Sequence, residues 1–236
     1  FSSSLGTYAP ISGGTILGTN TTDDERFVDP NNLAGSTAFL TGVGFPIGFN
    51  FSYDGVIYDV FGVNANGWIV LGNNALVDLN APNYGPISGA GGTNIIAALA
   101  RDIQAQTGAS IEFKTIGIAP NQTLVVQWNN YKKYGTNGTN DTINFQIRLN
   151  ETSNSIQCVY GSILLNSNTA DAQVGLRGID PTDYNNRETT TNWGATVLGT
   201  SNSAICAFSS TVFPLNGTTF TWTVPPPCSG TPTAGT

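Results

Sequence analysis

Residues 45–51 read Phe-Pro-Ile-Gly-Phe-Asn-Phe, with an apolar side chain at every odd position. A strand turns successive side chains to opposite faces, so this alternation separates an oily face from a wet one only in an extended, half-buried strand. Asp54-Gly55 follows at once, and Asn66-Gly67 closes the next apolar run at 56–63. Both dipeptides accept the positive φ of a tight hairpin turn. Two hairpins in fewer than 30 residues point to a meander of antiparallel strands.

The pattern recurs near 110–116, 123–129, 142–149, 155–160, 171–177, 203–208 and 219–224. In the third of these, Ile143, Phe145, Ile147 and Leu149 alternate with Asn144, Gln146 and Arg148. Residues 95–100 form an unbroken apolar run, which suits a short helix or a strand buried on both faces. Stretches 73–94 and 178–194 read as loops. Gly, Thr, Asn and Ser supply 101 of the 236 residues, which feeds turns and strands and leaves few helix formers. The 12 Phe, 8 Tyr and 4 Trp are enough for a sizeable core. The expected fold is all-β: a jelly-roll-like antiparallel β-sandwich of about eleven or twelve strands with little helix. Residues 1–44 would be an N-terminal arm with the first strands, 45–224 the sandwich core, and 225–236 a Pro/Gly/Thr linker to a further domain.

Several functions are excluded at this level. Without His there is no Ser-His-Asp or Cys-His catalysis and no histidine metal site. A net charge of −7 argues against nucleic acid as a partner. No apolar run reaches about 18 residues, so no membrane-spanning helix is expected. The chain starts at Phe1 rather than Met, as after removal of a signal peptide. Three Cys fit an oxidising compartment. Cys158 and Cys206 lie in phase with apolar residues on two strands and are the candidate disulfide, worth roughly 3–4 kcal/mol for its loop length. Two buried free thiols are the alternative. Cys228 sits in the linker and is assigned to a neighbouring domain.

With no spaced pair of catalytic carboxylates in view, the chain reads as a non-enzyme. Calcium needs clustered oxygens, and two loops offer them. One holds Asp23, Asp24 and Asp29; the other holds Asp180 and Asp183. Ordinary Asx turns are the competing explanation. Calcium is therefore the one candidate cofactor. Tyr131, Tyr134, Tyr184 and Trp193 lie in polar surroundings and are candidates for stacking on sugars. The arm offers two further alternatives: packing on its own domain, or adding a strand to a neighbouring subunit.

Residues 45–51, Tyr53-Asp54-Gly55 and the run from Val63 through Asn66-Gly67-Trp68 to Gly72 together resemble a module of large secreted proteins of Bacteroidetes. Residues 95–102, Leu124-Val125-Val126-Gln127-Trp128, Asn144-Phe145-Gln146-Ile147 and Cys158-Val159-Tyr160-Gly161 fit the same order. More distantly the chain is similar to the nidogen-type extracellular domain. The resemblance implies type IX secretion, a cell-surface or extracellular location, and a non-catalytic role in adhesion. A structural subunit of an extracellular filament and a carbohydrate-binding module of a secreted hydrolase are the alternatives. Partners would be other domains of the same chain, surface glycans or neighbouring subunits. Related domains often carry an aromatic-acidic segment before a key Asp; here it reads Ala100-Arg101-Asp102, so no site role carries over to Asp102. Asp141-Thr142-Ile143 matches a short O-glycosylation pattern of that phylum, which makes Thr142 a candidate acceptor.

Overall fold

The computed structural model describes residues 1–38, 41–73, 84–89, 91–135, 139–166 and 170–224. They form seventeen strands. In chain order these are β1 (Ser2–Leu5), β2 (Thr15–Leu17), β3 (Arg26–Phe27), β4 (Phe45–Tyr53), β5 (Val56–Asn64), β6 (Trp68–Leu71), β7 (Ile95–Ala100), β8 (Ile103–Gln104) and β9 (Ser110–Ile118). Then follow β10 (Asn121–Lys133), β11 (Ile143–Asn150), β12 (Ile156–Tyr160), β13 (Ala170–Arg177), β14 (Tyr184–Glu188), β15 (Val197–Leu198), β16 (Cys206–Phe208) and β17 (Thr218–Trp222). A 3-10 turn spans Trp193–Ala195. The first sheet runs β1-β17-β12-β11-β10-β9-β2, with β8 paired to β10. The second runs β15-β14-β13-β7-β6-β5-β3, with β16 on β13 and β4 on β5. The two antiparallel sheets pack as a sandwich. The strands beyond the expected eleven or twelve are mostly two to four residues long, too short to show a period.

The alternation in β4 is realised as read: Phe45, Ile47, Phe49, Phe51 and Tyr53 all face the core. β7 resolves the ambiguous apolar run as a strand with all six residues buried. Ile96 and Ala98 face the main core. Ile95, Ala97 and Ala100 face a second cluster with Val28, Trp68, Val70 and Ile87. Arg177 fixes that covering loop by donating from its guanidinium to the carbonyls of Pro86 at 3.0 Å and Gly89 at 2.6 Å. A run apolar on both sides is thus a strand covered on both sides.

Aromatic side chains also tie the sheets by hydrogen bonds. Trp128 stacks on Phe145 with centroids 4.8 Å apart and donates to the Ala65 carbonyl at 3.0 Å. Tyr160 donates to the Ala98 carbonyl at 2.6 Å. At Gly67 φ is +89°, and a Cβ there would stand 2.2 Å from the Leu99 carbonyl oxygen, so the Asn66-Gly67 turn requires glycine.

The N-terminal arm packs on its own domain. β1 closes one edge of the first sheet against β17, and β2 closes the other edge against β9. Between them residues 6–14 strap across the sheet's outer face. Ala9 accepts from the Gln146 amide at 2.9 Å, Ile11 donates to Gln127 at 3.0 Å, and Gly14 donates to Glu112 at 2.6 Å. Glu112 is buried beneath this strap. One segment therefore supplies both edge strands of this sheet.

The expected Cys158–Cys206 disulfide does not form; both are buried free thiols. Cys158 Sγ lies 3.9 Å from the Ala97 carbonyl on β7, and Cys206 Sγ lies 3.5 Å from the Arg187 carbonyl on β14. β13 lies between those two strands. Each sulfur is thus turned to a main-chain carbonyl of a different strand rather than to the other thiol. Burial pushes the Cys206 thiol up to about 12 and raises Cys158 as well. Cys228 and the proposed linker 225–236 lie outside the described residues.

Candidate functional site

The two ends of the sandwich carry different constellations. At one end lie the β4–β5 turn, the start of β14 and the end of β17. At the other lie the β5–β6 turn and the segment joining β7 to β8.

The first end holds a cleft of two adjoining cavities, about 330 and 430 Å³, which share Tyr53, Asp54 and Leu176. Asn154 and Trp222 line one; Asp183, Tyr184 and Asn185 line the other. Its walls are fixed by cross-links. Tyr53 donates to the Arg177 carbonyl at 2.8 Å, and the Trp222 indole donates to Asn185 at 3.1 Å. Asn154 accepts from the Ser52 amide at 2.9 Å. Asp183 lies beside Asp54; burial and then the Asp54 charge raise the Asp183 carboxyl above the usual carboxylate range.

The opposite end gathers acids from distant parts of the chain. Asp23, Asp24 and Asp102 each offer an oxygen, and all three oxygens lie within 4.8 Å of one another. The backbone fixes this meeting. Ala105 donates to the Thr22 carbonyl at 2.7 Å, and Ala65 donates to the Glu25 carbonyl at 2.9 Å, which pins the arm on both sides of the acids. Asn66 is the buried hub. Its amide donates to Asp24 at 3.0 Å, its side-chain oxygen accepts from the Ile103 amide at 3.0 Å, and its carbonyl accepts from Arg101 at 3.2 Å. Tyr84 lies beside Asp102, and burial and then this neighbour raise its hydroxyl. Burial, then the charges of Asp24, Asp102 and Glu25, push Asp23 up to about 7. Asp102 is raised as well, first by burial.

The structure therefore divides the residues singled out for metal binding. Asp23 and Asp24 meet, and Asp102 joins them although the sequence assigned it no role. Asp29 is a turn residue, accepting from the Asn31 amide at 2.9 Å. Asp180 caps its own turn by accepting from Thr182 at 2.7 Å. Asp183 lies at the other end, beside Asp54. Of the four aromatics, Tyr184 lines the cleft and Tyr134 is exposed beside Asp102. Tyr131 and Trp193 are corrections, because both are 1% exposed. A bulge between Trp128 and Tyr131, with Asn130 at φ +55°, resets the alternation and turns Tyr131 inward. Trp193 is folded in by its 3-10 turn, stacks on Phe220 and donates to the Ala207 carbonyl at 2.8 Å. Thr142 is half-buried and pairs with Leu164, while the adjoining Asp141 forms a buried ion pair with Lys133 at 3.6 Å.

Sequence reasoning missed Asp102, Tyr84 and Asn66 at one end, and Asp54 and Trp222 at the other. Asp54 and Asn66 were visible only as turn formers. Comparison with curated proteins finds no match, and comparison with solved structures finds none either. A family model described as NIDO related matches residues 1–225, so the chain belongs to the nidogen-related family.

Proposed function

We propose that this chain is a non-catalytic, secreted cell-surface module of a larger protein, and that it makes adhesive contacts through the cleft end of its sandwich. The observation that carries this reading is the cleft itself. Its walls are rigid, and Asp54, Asn154, Tyr184 and Asn185 combine an aromatic ring with polar groups around a concave space. That mixture favours a saccharide as the ligand class. The resemblance to secreted Bacteroidetes modules supports export by the type IX system and a surface location. Closure of both edges of the first sheet by the chain's own arm favours a self-contained module over a strand-donating filament subunit.

The test is a glycan array probed with the purified chain, repeated with Tyr184→Ala and Asp54→Asn. Binding by the parent protein, weakened at least about tenfold by both substitutions, is the expected result; a good buried contact is worth about 1.4 kcal/mol or more. Binding that ignores both substitutions would overturn the cleft as the contact site. Ordered polymers in negative-stain images of the native protein would favour the filament reading instead.

A further inference from the structure

We propose that Asp23, Asp24 and Asp102 bind a single calcium ion, which fastens the N-terminal arm to the sandwich. Oxygens around calcium stand 2.3–2.6 Å from the ion, so those on opposite sides are about 4.6–5.2 Å apart. The three carboxylate oxygens span no more than 4.8 Å and therefore fit one such shell without rearrangement.

Two further observations point to a cation. Asp23 Oδ1 and Asp102 Oδ1 are each fully buried and accept no hydrogen bond. A desolvated carboxylate oxygen with no donor is costly, and a metal ion is the partner that removes that cost. Tyr131 is 1% exposed and lies within electrostatic reach of Glu25 and Asp23, so its ring closes the buried side of the same cluster. The surrounding groups also behave as supports of a metal shell. Asn66 orients Asp24, and Tyr84 lies beside Asp102. Three carboxylate oxygens crowd within 4.8 Å of one another, and a divalent ion relieves that crowding.

This assignment does not depend on what the cleft binds. The test strips the full chain with EDTA at pH 8 and titrates it with terbium, whose emission nearby tyrosines sensitise, then competes with calcium. Expected are sensitised emission displaced by calcium and a calcium-dependent rise in melting temperature. Asp102→Asn and Asp24→Asn should weaken binding at least about tenfold, whereas Asp180→Asn should not change it. Tyr84→Phe leaves every ligand in place and should cost about tenfold, which keeps the test decisive if a ligand variant fails to fold. No sensitised emission and no thermal shift with millimolar calcium would overturn the proposal. Equal weakening by Asp180→Asn would overturn it too.

Discussion

At the cleft end, Asp54 and Asp183 sit side by side at open cavities, and both are exposed. At the far end, Asp23, Asp24 and Asp102 converge with two oxygens fully buried and a hub, Asn66, that is 1% exposed. Water screens two acids at a surface. Three acids held partly out of water under backbone constraint are screened far less. Like charges brought together mean different things according to how far solvent reaches them and what holds them.

The largest expected effect is at the foot of the acidic end. Lys133 pairs in register with Ile103, next to Asp102, and its ion pair with Asp141 is fully enclosed. Asp141→Ala takes the carboxylate of this ion pair away from a buried ammonium and should cost about 3–5 kcal/mol in urea unfolding. Asp54→Asn at the cleft keeps a residue that tolerates the turn's positive φ and should stay within about 0.5 kcal/mol, as an exposed side chain away from the core. Equal losses would erase the contrast between the ends.

A second difference lies in pH. The native Asp23 carboxyl titrates near 7, against an ordinary value of 3.8. Between those values the folded state holds more protons than the unfolded one. Metal-free stability should therefore fall as pH rises from about 4 to 7 and level off above. Asp23→Asn should flatten that slope. Calcium competes with the proton, so its stabilising effect should be larger at pH 8 than at pH 5. Unfolding in EDTA and in calcium at the two pH values measures both.

A smaller shift is expected in the cleft. Asp54→Asn removes the neighbouring charge, so the Asp183 carboxyl should move back down toward its ordinary range in an NMR titration. The smallest effect belongs to the strap that crosses between the edges. Lys114→Ala removes one exposed bond from its ammonium to the Ser12 carbonyl of the strap. It should leave global stability within about 1 kcal/mol while speeding amide exchange in β1 and β2.

Much of the scaffold was legible because it is periodic. The odd positions of 45–51 fell on the core face, and Asp54-Gly55 supplied the positive φ values, 49° and 74°, that its turn needs. The sites were less legible. Asp24 and Asp102 are far apart in the chain, and only the folded β5–β6 turn brings Asn66 between them. Tyr131 looked exposed because a bulge changes phase without a strong local signal. The two cysteines were in phase with apolar neighbours, but phase says only that a side chain is buried, not which strand it faces.

The arm also fixes how the molecule answers to mechanical load. Ser2 lies opposite Thr221 and Leu5 opposite Thr218. Tension between Ser2 and Thr221 therefore opens β1 from β17 one pair at a time, like a zipper, rather than shearing the pairs together. The strap then detaches through its few side-chain bonds. Peeling stops where Thr22 and Glu25 are pinned beside Asp23 and Asp24. Residues 1–22 can by then extend by roughly 75 Å while the core stays folded. The main-chain bonds at Thr22 and Glu25, on either side of the two acids, are the brake on that extension.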